Sequence, residues 1–234
     1  MQTAGAHHCW TVEEYRRLGE AGGFQYGDLG PHETRVELLR GVIVNKYAEG
    51  ATLAEVRLRW TRDMYERLAA NGGFDGLRVE LIHGHILDKV SPQGSPHSTA
   101  VTLALSALQD VFQGGAHVRV QLPLRALNDS EPEPDLAVVP GSPREYAREH
   151  PSAALLVVEV AASSLDTDRT QKLAVYAESG VPDYWIVNLR DRVLEVHRDP
   201  QGSTYLSRRV LDGDESIAPL TRSDVPVAVA DLLP

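Results

Sequence analysis

Residues 155–173, "LLVVEVAASSLDTDRTQKL", decide the fold. Leu155 to Val158 are apolar, and Val160 and Ala161 continue the run beyond Glu159. A nearly continuous apolar run suits a strand covered on both faces, not one that is wet on alternate sides. Glu159 nevertheless sits inside it, and an ionised carboxylate in a core is costly unless a cation, a metal or hydrogen bonds compensate it. Arg169 and Lys172 stand just downstream, on a predicted helix that Asp166 or Thr167 can cap and that Gly180 and Pro182 end. On that helix Arg169, Lys172 and Tyr176 fall at i, i+3 and i+7 and share one face.

Working outward, "AHVRVQLPL" (116–124) alternates, "PDLAVV" (134–139) is another apolar run, and "DYWIVN" (183–188) and "RVLEVHR" (192–198) follow the helix. One helix between two apolar runs allows a parallel crossover, so the body reads as α/β, or α+β with a mixed sheet. Pro134 pushes the residue before it towards extended backbone, and Asp135 opens its strand. If the strands of Asp135 and Glu159 are neighbours, the two carboxylates converge on one edge of the sheet. Close carboxylates repel unless something positive lies between them. A hard divalent cation meets that need, and magnesium typically takes one or two carboxylates plus phosphate oxygens and water. A helix starting a few residues beyond Glu159 brings Lys172 back over the pair, where an ammonium can orient water and stabilise charge developing on a phosphate oxygen.

The first ninety residues repeat. "YRRLGEAGGF" (15–24) recurs as "YERLAANGGF" (65–74), offset by 50, and "RVELLRGVIVNK" (35–46) recurs as "RVELIHGHILDK" (78–89), offset by 43. The first copy carries seven extra residues within "QYGDLGPHET". Two copies are too few for a solenoid. Each reads as a hairpin, alternating around Gly41 or Gly84, followed by a helix. After the second hairpin "SPQGSPH" is turn-rich. "STAVTLALSALQDVF" then has helical periodicity, with Val101, Leu105, Leu108 and Phe112 on one stripe; "ATLAEVRLRWTRDMYERLAA" is its expected counterpart. The expected division is a duplicated arm over 1–75 and a catalytic body over 76–234.

The chain of 234 residues is 42% hydrophobic, enough for a substantial core. Its formal net charge of −10 disfavours long-range attraction to nucleic acid or anionic membranes, so a polyanion needs a local basic patch or a metal. Residues 185–210 supply five arginines, Arg190, Arg192, Arg198, Arg208 and Arg209, against three acids, as a candidate phosphate-binding edge or an ordinary exposed hairpin. One cysteine, Cys9, excludes an internal disulfide. No apolar run approaches the roughly 20 residues of a membrane span, and a cytoplasmic protein with no membrane partner is expected.

"EPEPDLAVVP", "LLVVEVAASSLDTDRTQKLAVYAESGVPDYWIVN" and the opening "WTVEEYRRL" with "RVEL" resemble the Uma-type restriction-endonuclease family of the PD-(D/E)XK nuclease superfamily. The resemblance runs from about Val79 to Pro234, with the first copy matching the family's N-terminal segment a second time. It implies a restriction-endonuclease-like core and magnesium-dependent cleavage of DNA phosphodiester bonds, with manganese as a substitute ion. Asp135 and Glu159 resemble the family's metal-binding acids, and Glu80 an additional upstream acid whose duplicate is Glu37. The superfamily lysine normally lies two residues after the second acid, where this chain has Ala161; in the Uma-type pattern it stands on the next helix, at Lys172. Cutting both strands of a duplex favours a two-fold homodimer. The competing readings are a catalytically silent nuclease-fold binding or assembly module and a metal-dependent phosphohydrolase of small substrates.

Other residues carry plainer expectations. Tyr176 and Trp185 read as core, Glu131 and Glu133 as exposed acids on a proline-rich turn, and Ser163 and Ser164 as turn or capping residues. His97, opening a helix, reads as a cap or loop contact before a functional one. "HHC" (7–9) and "HGH" (83–85) lack the paired spacing of a zinc site.

Overall fold

Continuous apolar strands demand cover on both sides, and the body provides it. The structure is a computed structural model that describes residues 6–24, 36–45, 57–89 and 94–234. It divides into two units, one comprising Met1–Lys89 with Asn128–Ser130 and the other Val90–Leu127 with Glu131–Pro234.

In the second unit, strands β5 (Ala116–Val120), β6 (Leu136–Pro140), β7 (Leu156–Ala161), β8 (Asp183–Asn188), β9 (Val193–Gln201) and β10 (Thr204–Leu211) form one sheet in the order β10-β9-β8-β7-β6-β5. Only β7 and β8 run parallel; the other pairs are antiparallel. The parallel pair is joined by a single helix built from an α-helical turn (Leu165–Thr167), a π-helical segment (Asp168–Lys172) and an α-helical end (Leu173–Glu178). The sheet is therefore mixed, as the sequence predicts. One face packs Leu136, Val138, Leu156 and Val158 against Ala100, Ala104 and Leu108 of the helix Ser95–Val111. The other packs Ala137, Val139, Val157 and Ile186 against Leu165, Tyr176 and Ala177 of the crossover helix. All six residues of β7 and the first four of β6 are buried, which is why both read as nearly continuous apolar runs; all six of β8 are buried too.

Two expectations for this unit need correction. The crossover helix begins after Ser164, two or three residues earlier than caps at Asp166 or Thr167 would allow. Glu131 is buried, not exposed. The proline-rich segment around it lies extended, with the Pro132 carbonyl accepting from the Leu124 N–H at 2.9 Å. The helix ends as predicted: Gly180 adopts φ +76°, and the N–H groups of Gly180 and Val181 donate to the carbonyls of Ala177 and Tyr176.

In the first unit each hairpin is preceded by a helix, and the helix expected after the second hairpin is Ser95–Val111 of the second unit. Helix α1 (Val12–Glu20) precedes β1 (Val36–Leu39) and β2 (Val42–Asn45), and α2 (Arg62–Ala70) precedes β3 (Val79–Ile82) and β4 (His85–Asp88). Thr11 and Thr61 set the helix starts, each accepting a backbone N–H three residues on. Of "ATLAEVRLRWTRDMYERLAA", residues 51–56 lie outside the described residues; Arg62–Ala70 is helical, while Arg57 pairs with Val44 as an isolated bridge. The hairpins close as expected. Arg40 and Gly41, like His83 and Gly84, have positive φ at both central turn positions, the type I′ geometry that matches strand twist. The insertion within "QYGDLGPHET" lies outside the described residues. Among the described residues no helix is long and apolar enough to cross a membrane.

Candidate active site

Glu159 meets its compensation from the crossover helix. Its Oε1 accepts from Lys172 Nζ at 3.0 Å and from the Tyr176 hydroxyl at 2.7 Å. Glu159 and Lys172 are only 3% and 7% exposed, so this is a buried ion pair whose charges are hydrogen-bonded as well as opposed. Each hydrogen bond to a charged group is worth about 1.5–3 kcal/mol. Lys172 also lies 3.9 Å from Asp168 Oδ1, one turn back on the same helix, and Asp168 Oδ2 accepts from the Ser164 hydroxyl at 2.6 Å. The Tyr184 hydroxyl donates to the Asp168 carbonyl at 3.0 Å, tying the π-helical segment to β8. Arg169 does not join Glu159. It forks onto Glu195 of β9, with its Nε 3.1 Å from both carboxylate oxygens.

Asp135 stands immediately before β6. The register pairs Leu136 with Val158, so Asp135 falls opposite Glu159, on the sheet face that carries the crossover helix. Its Oδ2 accepts from the Val160 N–H at 2.9 Å and lies 3.2 Å from His97 Nε2; its Oδ1 accepts from Gln121 Nε2 at 3.1 Å. The Gln121 N–H also donates to the Asp135 carbonyl at 3.1 Å, so one residue with φ +49° clamps the acid at both ends. Burial alone would push the Asp135 carboxyl up. The hydrogen bond and charge of His97, the Lys172 ammonium and the Val160 N–H outweigh it and hold the group below the usual carboxylate range.

The structure thus brings Asp135, Glu159 and Lys172 to one face of one sheet. Glu80 lies in the first unit, buried on β3 opposite Leu87, and Glu37 is its half-buried counterpart opposite Val44. Sequence reasoning missed Gln121, which no motif marks, and Asp168, whose signal is its i, i+4 spacing to Lys172. Tyr176 is core, as expected, but its hydroxyl also serves Glu159. His97 proves to be more than a cap. Trp185 is core, its indole N–H donating to Asp183 at 2.7 Å.

The expected arginine edge is partly spent internally. Arg198 binds Asp183 at 2.9 Å and Arg208 binds Glu195 at 3.0 Å, while Arg190, Arg192 and Arg209 are exposed.

A family model described as "Putative restriction endonuclease", Uma2, matches residues 62–229, more than two-thirds of the chain. The chain belongs to this family. Among solved structures, the chain is similar to the crystal structure of "a putative nuclease belonging to DUF820" from Anabaena variabilis ATCC 29413. The TM-score is 0.53 at 23% identity over 66% of this chain and 88% of that one. That likeness establishes a shared nuclease-type fold for the Uma2 body. A comparison with curated proteins gives no match. The family match begins at Arg62 and so takes in the second copy of the duplicated unit and leaves out the first.

Proposed function

We propose that the protein is a magnesium-dependent endonuclease acting on DNA. The observation that carries this reading is Lys172 Nζ held 3.0 Å from Glu159, on the sheet face where Asp135 is kept ionised. The donor set fits a hard divalent ion, since it offers carboxylate oxygens and no thiolate. Among the described residues no three His, Cys, Asp or Glu side chains gather in ligating geometry. Asp135 and Glu159 would therefore hold the ion, its shell completed by water and phosphate oxygens, as magnesium accepts. When bound, magnesium supplies polarisation of the scissile phosphate and a lowered pKa for bound water.

The chain's own residues do the rest. Gln121, His97 and the Val160 N–H fix the direction of Asp135, and Tyr176 fixes that of Glu159. Lys172 donates to whichever oxygen gains charge during attack, exchanging its bond to Glu159 for one to the phosphate or the nucleophilic water. Cutting both strands of a duplex calls for two such sites, which a homodimer with one site per chain would provide.

The direct test is plasmid cleavage with and without magnesium. Wild type cuts only with the ion, and Asp135→Ala with Lys172→Ala lowers the rate at least about a thousandfold, as expected when site electrostatics are removed. Equal cleavage by wild type and the double variant would refute the assignment. Glu80→Gln, measured beside Asp135→Asn, decides whether the first unit supplies a further acid.

A further inference from the structure

The two copies of the first unit contact each other in a way that repeats on exchange. Within each copy, the residue before the helix reaches its own hairpin turn: Trp10 N–H donates to the Gly41 carbonyl and Trp60 N–H to that of Gly84, both at 2.9 Å. The Tyr15 hydroxyl donates to Val36 O, and that of Tyr65 to Val79 O, both at 3.0 Å. These pairs obey the sequence offsets of 50 and 43 without exception.

Between the copies the contacts cross. His8 N–H of the first copy donates to Ile86 O of the second, and Leu58 N–H of the second donates to Ile43 O of the first, both at 2.9 Å. Positions 8 and 58 are equivalent, as are 43 and 86. The isolated bridges His7 with Leu87 and Arg57 with Val44 are equivalent under the same exchange. When site i of one half meets site j of the other, and j meets i, the contact is isologous, the signature of a two-fold axis. The cores agree: Leu18 with Leu68 and Ile43 with Ile86 are buried in one cluster, and the Trp10 and Trp60 rings lie 6.1 Å apart.

Isologous contacts usually join two chains; here both halves belong to one polypeptide, and only the second copy leads into a nuclease body. We infer that residues 6–24 and 36–45 occupy, within the chain, the face by which the 57–88 unit would otherwise pair with a second copy of itself. The first unit is a two-fold pair closed in cis. Its association face is already filled, so the full-length chain does not dimerise through it, and each such pair carries one nuclease body where two chains would carry two. This inference does not depend on the body being active.

The first test uses full-length protein and leaves the core untouched. His7 of the first copy and Leu87 of the second lie directly opposite across an antiparallel bridge, with Cβ atoms about 4.5–5.5 Å apart in such pairs. His7→Cys with Leu87→Cys, in a Cys9→Ser background, is oxidised at micromolar concentration, assayed for loss of free thiols and run on a non-reducing gel. A bond within one chain, leaving the mass at 25.6 kDa, is expected; a doubled band that persists on dilution overturns the inference. Sedimentation provides the second measurement. Leu18→Asp with Ile43→Asp, both on the first copy, is expected to free the second copy's face and add a concentration-dependent association beyond the wild-type state, which adding Leu68→Asp abolishes. A folded double variant that sediments as wild type overturns the inference, and so does a wild-type dimer that Leu68→Asp dissolves.

Discussion

Two buried carboxylates on the same face of the sheet, served by the same helix, are handled in opposite ways. Glu195 on β9 is fully buried and accepts from Arg169, from Arg208 at 3.0 Å and from Asn188 at 3.1 Å. Burial would raise its pKa, but these three donors bring it to about 2. Glu159 on β7 accepts from a lysine and a tyrosine instead. A guanidinium is permanently charged and fixed in a fork, whereas an ammonium is a point charge on a flexible stem that can change partners. Glu195 is locked for stability, and Glu159 is held by groups that can let go. The difference lies in the donor type, because both acids are buried and both are compensated.

Isosteric amides break this comparison most directly. Glu159→Gln keeps the shape and neutralises the acid, so cleavage per folded molecule should fall at least about a thousandfold, roughly 4 kcal/mol, and the fold should also lose about 3 kcal/mol because Lys172 stays buried beside a neutral amide. Glu195→Gln should cost stability alone. It leaves two guanidinium groups facing a neutral amide and should destabilise the fold by about 3 kcal/mol, with cleavage per folded molecule nearly unchanged. Calorimetry beside a plasmid assay on both variants checks the pair; identical profiles would erase the distinction.

Acid titration sharpens it further. His197, buried beside Glu195, is lowered to about 4, chiefly by burial and then by the charges of Arg208 and Arg169, against the pull of Glu195. The unfolded chain therefore binds a proton on this histidine at a higher pH than the native one does. Stability should fall as pH drops from about 6.5 through 4, by no more than about 3 kcal/mol. Glu195 contributes stability that is present above its unfolded value near 4.5 and lost as pH falls towards about 2. Unfolding followed against pH should lose its upper step in His197→Phe and its lower step in Glu195→Gln.

The smallest effect belongs to Tyr176→Phe. It removes one 2.7 Å hydrogen bond to Glu159 and should slow cleavage about tenfold, roughly 1.4 kcal/mol, while Lys172 stays in place. An unchanged rate would mean that Lys172 alone positions the acid.

Much of this was legible in the sequence because it rests on local rules. Strands covered on both faces announce themselves as nearly unbroken apolar runs, and β6 and β7 did so. A glycine at a two-residue turn requires left-handed backbone, and Gly41 and Gly84 marked both hairpins. Glu159 stood out because a charge inside an apolar run demands a partner, and Lys172 was within one helix of it. The rest was settled by geometry that no spacing encodes. Arg169 and Lys172 share a face on a regular helix, yet they part towards β9 and β7. Gln121 reaches Asp135 through an unusual backbone angle after β5. The helix Val12–Glu20 that opens the first repeat was not legible because the threonine cap that begins it carries less weight in a pattern than the hairpins do.

The π-helical turn at Asp168–Lys172 carries one more consequence. Wide turns of this kind are single-residue expansions of an α-helix and are common at functional sites. Excising Thr170 or Gln171 there would restore regular winding, leave the flanking turns nearly in phase, and redirect Arg169 relative to Lys172. The helix could then keep its grip on one strand only, either the arginine clasp or the lysine reach. The extra residue acts as a differential gear, and a shortened protein would be expected to trade either its rigidity or its chemistry for a tidier coil.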